Sequence, residues 1–243
     1  MIGKGTKMRC KIIYEDGELL VVHKPAGLAT ESARTGQMDA ESELKGYLKK
    51  SGTQKELYLG VVHRLDQPVE GLLVFAKTRV AAAALSKQLQ KGSLNKTYLA
   101  VICGKMEKEA GELLDDLVKD GNVARVVTGQ ASENPQAKRA ALSYRTLQSF
   151  GDDASLLEVQ IETGRFHQIR AQLSNAGHPI LGDQKYGSTA SCEVGRQKGV
   201  RSVALCAASL DFQHPVTKKN MHFVITPEGQ SFQSFLETQD DKK

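Results

Sequence analysis

The run Val61-Val62-His63-Arg64-Leu65-Asp66-Gln67-Pro68-Val69-Glu70-Gly71 sets Asp66 in a short polar loop between apolar segments. The chain leaves through Gly71-Leu72-Leu73-Val74-Phe75-Ala76-Lys77-Thr78, whose continuous apolar run reads as a buried strand. A carboxylate on a loop held by buried segments is a common way to display a reactive group. A loop aspartate taken alone is more often a turn former. Arg165 follows a Thr163-Gly164 turn and opens an apolar-periodic segment, so it projects from the end of a packed element. Arginine suits bidentate pairing with a carboxylate such as Asp66, although a solvated surface charge is the plainer reading. Tyr98 lies on an apolar strand, where tyrosines usually belong to the core; the same ring can stack on a nucleobase. His63, His167 and His178 read as structural, since no second base or nucleophile accompanies them in sequence. Lys24-Pro25-Ala26-Gly27 has no phosphate-loop pattern and reads as a turn rather than a catalytic lysine.

Composition limits the possibilities. The chain has 243 residues, 40% hydrophobic and 25% charged, which suits a globular protein of one domain or two closely packed subdomains. Cys10, Cys103, Cys192 and Cys206 form no Cys-x-x-Cys pair, and the six histidines lack ligand spacing. Reduced thiols, no metal and no cofactor are therefore expected. No apolar segment reaches the length of a membrane span, and Met1-Ile2-Gly3-Lys4-Gly5 has no apolar signal core, so a cytoplasmic protein is expected. A net charge of +5 fits a polyanionic partner without proving one. The absence of tryptophan and the 5% aromatic content argue against a broad stacking platform for single strands.

The elements that must position these residues follow from patterning. Ile12–Tyr14 and Leu19–His23 read as a hairpin about Asp16-Gly17. Glu41–Lys50 reads as a short helix, and Thr78 caps a helix over Arg79–Lys91 that ends at Gly92. Asn95–Gly104, Ala140–Phe150 and Ser155–Ile161 read as strands, and residues 105–137 as a charged surface excursion. Phe166, Ile169 and Leu173 predict an amphipathic helix over Arg165–Gly177. Residues 188–200 read as mobile, Val203–Phe212 and His222–Ile225 as a last strand pair, and Thr226-Pro227 as the start of a final helix. Strand runs with interposed helices predict an α+β fold, with a mixed, mostly antiparallel sheet and flanking helices.

Several of these segments together resemble the RluA-type RNA pseudouridine synthases. His63-Arg64-Leu65-Asp66 with Gly71–Thr78 is similar to that family's signature loop, and Leu20–Gly27 to its N-terminal strand and turn. Lys96-Thr97-Tyr98-Leu99-Ala100 resembles its tyrosine motif. Glu162–Arg170, with Gly177–Asp183 and Tyr186-Gly187, resembles its third motif and the following loop. Two departures stand out: Val69-Glu70 replaces a Thr-Ser pair, and Phe166 replaces a small polar residue. The resemblance implies isomerisation of specific uridines in structured ribosomal or transfer RNA to pseudouridine, without cofactor or metal. It implies Asp66 as the catalytic carboxylate, acting at C1′ as nucleophile or at C2′ as base, with Arg165 pairing to it and Tyr98 against the uracil. It further implies Arg64 filling the gap left by a flipped base, and RNA contacts from Arg64, Lys96, Gln168 and Arg170 in a central RNA-binding cleft.

The expected organisation is a flexible stretch over 1–10, a catalytic domain over 11–237 without a separate S4-type RNA-binding domain, and a solvated tail over 238–243. A monomer is expected. The competing reading is a non-catalytic RNA-binding or chaperone protein on the same fold. An intact Asp66, Tyr98 and Arg165 set disfavours it, since binding a polyanion does not call for a carboxylate. A base-releasing glycosidase would want a second carboxylate, and none stands out.

Overall fold

The computed structural model describes residues 8–32, 36–51, 58–129 and 134–236. Most of the expected N-terminal stretch and all of the expected tail lie outside them. The chain divides into two compact units: residues 1–94 with 210–225, and residues 95–209 with 226–243. Strand pairing is mixed and mostly antiparallel, as the patterning predicts, and the described residues form five helices, one more than expected.

In the first unit, β1 (Lys11–Glu15) pairs antiparallel with β2 (Leu19–Lys24), and β2 with β4 (Glu70–Ala76). The short β3 (Gly60–Val61) also lies on β4, so the strands on either side of the Asp66 loop are directly paired. β2 and β4 are buried along their whole length, which explains their unbroken apolar sequences. The core joins Leu19, Val21, Leu72 and Val74 to Ala81 and Leu85 of α2 (Arg79–Gln90). Thr78 caps α2 by accepting from the Ala81 amide at 3.1 Å, as expected. α1 (Ala40–Ser51) buries Leu44 and Leu48. β10 (Leu205–Gln213) gives its last residues to this unit, where it pairs with β11 (Asn220–Val224).

In the second unit, β5 (Asn95–Cys103) pairs with β9 (Ala154–Ile161), β9 with β8 (Lys138–Phe150), β8 with β6 (Ala110–Asp120), and β6 with β7 (Val123–Val127), all antiparallel. The β6–β7 hairpin gives regular strands to the stretch over 105–137, expected only as a charged surface excursion. Glu112, Lys119, Asp120 and Arg125 occupy exposed positions of these regular strands, and Asp115 and Asp116 are partly buried. The expectation of a mobile stretch over 188–200 is corrected, because α4 (Thr189–Gln197) forms there. Ser188 accepts from the Ser191 amide at 3.1 Å, and the Ser191 hydroxyl accepts from the Ser188 amide at 2.8 Å. This reciprocal cap satisfies two donors that would otherwise destabilise a short helix. α5 (Gln230–Leu236) sets Phe235 edge-on to Phe150 at 5.0 Å.

The expected helix over Arg165–Gly177 begins later and is buried. α3 spans Gln168–Asn175, and Gln168 to Leu173 are all buried. His167 stands at its N-terminus with φ 53°, a left-handed backbone outside the right-handed helix. Arg165 and Phe166 therefore belong to the turn ahead of α3.

Candidate active site

Asp66 is half-buried in the loop between β3 and β4. Its position follows from bonds the neighbouring residues make. The Val69 amide donates to the Asp66 carbonyl at 3.0 Å and closes the turn at Gln67-Pro68. Before Asp66, the buried Thr30 hydroxyl lies 3.0 Å from the Leu65 carbonyl and 3.1 Å from the Leu65 amide. After it, the Gly27 amide donates to the Gln67 carbonyl at 2.8 Å. Gly27 does so with φ 81°, a conformation that favours glycine.

Beneath this turn lies Lys24, wholly buried. Its ammonium donates to the carbonyls of Leu28 (2.7 Å), Pro25 (3.1 Å) and Gln67 (3.4 Å), so one side chain ties both turns. Burial pushes the Lys24 ammonium down to about 8, while Cys10, Asp66 and Glu70 act to keep it charged. The reading of Lys24-Pro25-Ala26-Gly27 as a turn holds. The lysine's part in fastening that turn to the Asp66 loop had no signal in sequence, because nothing local marks a lysine as buried.

Glu70 is buried and pairs with the buried His23 across β2 and β4 at 2.7 Å. His63 accepts from the Val74 amide at 3.3 Å, which makes it structural. Arg64 is exposed in the loop, its side chain 71% accessible and paired with Glu31 at 2.6 Å. A cavity of about 490 Å³ beside the loop is lined by Thr30, Glu31, Arg64, Leu65 and Gln67, among others.

Tyr98, Lys96, Arg165, Gln168 and Arg170 all belong to the second unit. Tyr98 is on β5, opposite Val159, and 5% exposed. Lys96, two residues earlier, is partly buried, and burial pushes its ammonium down to about 8. Arg165 is exposed, and its Nε donates to the Arg139 carbonyl at 2.9 Å.

Gln168 and Arg170 face the protein interior. The Gln168 carbonyl oxygen accepts from the Thr163 hydroxyl (2.8 Å) and the Arg165 amide (3.0 Å), and its amide donates to the Ala141 carbonyl (3.0 Å). Gln168 thus fixes the turn that carries Arg165. The Arg170 guanidinium meets Asp183 at 2.7 and 2.9 Å, with side-chain exposures of 4% and 0%. Asp183 also accepts from the amides of Lys185 (3.0 Å) and Tyr186 (3.2 Å). A fully buried fork of this kind fixes the loop after α3. His167 and His178 have structural partners, the Tyr186 hydroxyl at 2.8 Å and the Cys103 carbonyl at 3.2 Å.

Among the described residues, no cluster of three or more histidines, cysteines or carboxylates could hold a metal ion. Nor is any described helix long and apolar enough to cross a membrane.

Residues 18–175 match the family model described as RNA pseudouridylate synthase. An uncharacterized RNA pseudouridine synthase of Bacillus subtilis is 34% identical over 207 residues, covering 85% of this chain and 65% of that protein. A ribosomal large subunit pseudouridine synthase C of Rickettsia conorii is 37% identical, covering 73% of this chain and 56% of that one. The chain thus spans less than two thirds of the length of these two relatives. A ribosomal large subunit pseudouridine synthase D of Zymomonas mobilis is 35% identical over 88% of this chain and 68% of its own length. The solved structure of human RNA pseudouridylate synthase domain containing 4 superposes with a TM-score of 0.74 at 25% identity, covering 92% of each chain.

Proposed function

Because the chain belongs to the RNA pseudouridylate synthase family, we propose that it isomerises uridine in structured RNA to pseudouridine, with Asp66 as the catalytic carboxylate. The observation that carries this reading is the loop of Asp66. A half-exposed carboxylate is held between directly paired strands and tied on both sides, by Thr30 and by Gly27 with Lys24. Such fixation keeps a reacting group in one geometry without losing its access.

The reaction breaks the bond from N1 of uracil to C1′ of the ribose and forms one from C5 to C1′. The carboxylate starts it by attacking C1′ or by taking the C2′ proton; either route releases the uracil, which turns before rejoining. C5 then gives up its proton and N1 gains one, so the product is an isomer of the substrate. Tyr98 packs against the uracil and assists the loss of the C5 proton. Arg165 is the cation we assign to the reacting carboxylate. A target within a stacked helix must be extruded, and Arg64, exposed beside Asp66, takes the vacated place.

The names of the Rickettsia and Zymomonas relatives favour ribosomal RNA over transfer RNA as the substrate. Of the residues expected to touch RNA, Arg64 and Lys96 keep that role. Gln168 and Arg170 act through the turn and loop they fix. A cytoplasmic monomer working without cofactor completes the proposal. The test is to incubate the protein with unmodified ribosomal RNA, digest to nucleosides and separate them. A new nucleoside isomeric with uridine is expected; uridine alone, with RNA binding intact, would favour the non-catalytic reading.

A further inference from the structure

Phe166 is a large apolar side chain left 40% exposed on the turn before α3. Its neighbours hold it there. The Arg170–Asp183 pair fixes the loop that carries Tyr186. The Tyr186 hydroxyl accepts from the Ala124 amide at 2.6 Å and meets His167 Nδ1 at 2.8 Å. His167, held in its left-handed backbone, stacks on Phe166 with centroids 3.8 Å apart and planes 21° from parallel. A non-glycine residue in that conformation persists only where its surroundings enforce it, and such strain gathers at binding sites.

The imidazole fills one face of the Phe166 ring. The ammonium of Lys119, exposed on β6, also lies over the ring, 5.0 Å from its centroid. Arg165, Lys185 and Arg139 are exposed on neighbouring segments of the same unit. An outward aromatic ring, backed by a second ring and set among cations, matches the chemistry of a stacked nucleotide: a planar base for the ring and a phosphate for the cations.

We propose that Phe166 is a stacking platform for an RNA base, with the base displacing Lys119 from the ring and the freed ammonium taking a phosphate. This inference rests on the reading of the chain as an RNA enzyme and adds a contact to it. Stacking of this kind is sequence-tolerant, because every base has a π-face. The platform therefore strengthens substrate binding without naming the target.

The chain contains no tryptophan, so Phe166→Trp places a single reporter at the platform. The variant is titrated with short fragments of ribosomal RNA and, separately, with inorganic polyphosphate, which offers charge without bases. Binding of the same RNA to the unmodified protein is followed by anisotropy. Saturable quenching of the tryptophan by RNA and none by polyphosphate is expected. Anisotropy that reports binding while the emission stays unchanged, or equal quenching by polyphosphate, would overturn the platform and leave the RNA reading standing. No RNA binding by the unmodified protein would overturn both.

Substitution gives a second readout. Phe166→Ala weakens RNA binding roughly tenfold or more, while Phe166→Tyr binds as the parent does. The loss from Phe166→Ala persists at high salt, whereas that from Lys119→Ala fades. A Phe166→Ala loss that disappears with salt, or that comes with a lower melting temperature, contradicts stacking.

Discussion

Lys96 and Lys24 show how far a single residue can depart from what its type suggests. Both read as ordinary cations in sequence, and burial brings both down to about 8. For Lys96 the consequence for stability has a definite sign. Below pH 8 folded and unfolded chains both hold the proton, and the folded state bears the full cost of a partly buried ammonium. Between pH 8 and the ordinary value of 10.5, the folded chain has released the proton while the unfolded chain keeps it, so stability rises with pH. Lys96→Met lacks this dependence. Its stability relative to the parent should be highest near pH 7 and fall by about 2 to 3 kcal/mol by pH 10.5. Urea unfolding of both proteins at pH 7 and pH 10.5 measures the difference, and one that does not change with pH contradicts the burial of the charge. Asp66, Tyr98 and Arg165 were singled out only by the family resemblance of the segments that carry them; taken alone, each had a plainer structural reading. Sequence could not find Lys24, whose partners are carbonyls of residues that any turn would contain.

The elements were legible where burial writes a plain pattern. β2 and β4 are buried at every position, so their apolar runs were clear, and Thr78 announced α2. The β6–β7 hairpin was missed because its pattern breaks. Leu113-Leu114 and Asp115-Asp116 come in pairs rather than alternating, and Leu114 is 53% exposed. α4 was hidden by its serine-for-serine cap and by Gly195 within the helix, a poor helix former. At α3 the spacing of Phe166, Ile169 and Leu173 is real, yet the left-handed His167 separates the first from the other two. The buried fork between Arg170 and Asp183 gives the loop after α3 its own test. Arg170→Met leaves Asp183 charged and buried, and should destabilise the protein by about 3 to 5 kcal/mol. Arg170→Met with Asp183→Asn removes both charges, keeps an acceptor for the Lys185 and Tyr186 amides, and should recover part of that loss. A single substitution that leaves the denaturation midpoint unmoved contradicts a role for the fork in holding the loop.

For the whole molecule, a net charge of +5 sets the scale of RNA binding. So small an excess argues against a long electrostatic track and for a few local contacts. Each phosphate neutralised adds roughly −0.7 to −0.9 to the slope of log affinity against log salt, so a slope of about −3 to −5 is expected. A hairpin should bind more tightly than an unstructured strand of equal length, since shape and an extrudable uridine carry recognition. A steeper slope with equal affinity for both would mark a general basic binder.

Carbodiimide mapping tests most directly whether Asp66 is the reacting carboxylate. Unmodified ribosomal RNA is treated with the parent protein or with Asp66→Asn, which keeps the side chain's shape and loses its charge. Pseudouridine retains the carbodiimide adduct through alkaline treatment and stops reverse transcription at each modified position. Discrete stops are expected with the parent protein and none with Asp66→Asn, although the variant keeps the parent's melting temperature and RNA affinity. Stops of equal strength at the same positions with Asp66→Asn would contradict that role.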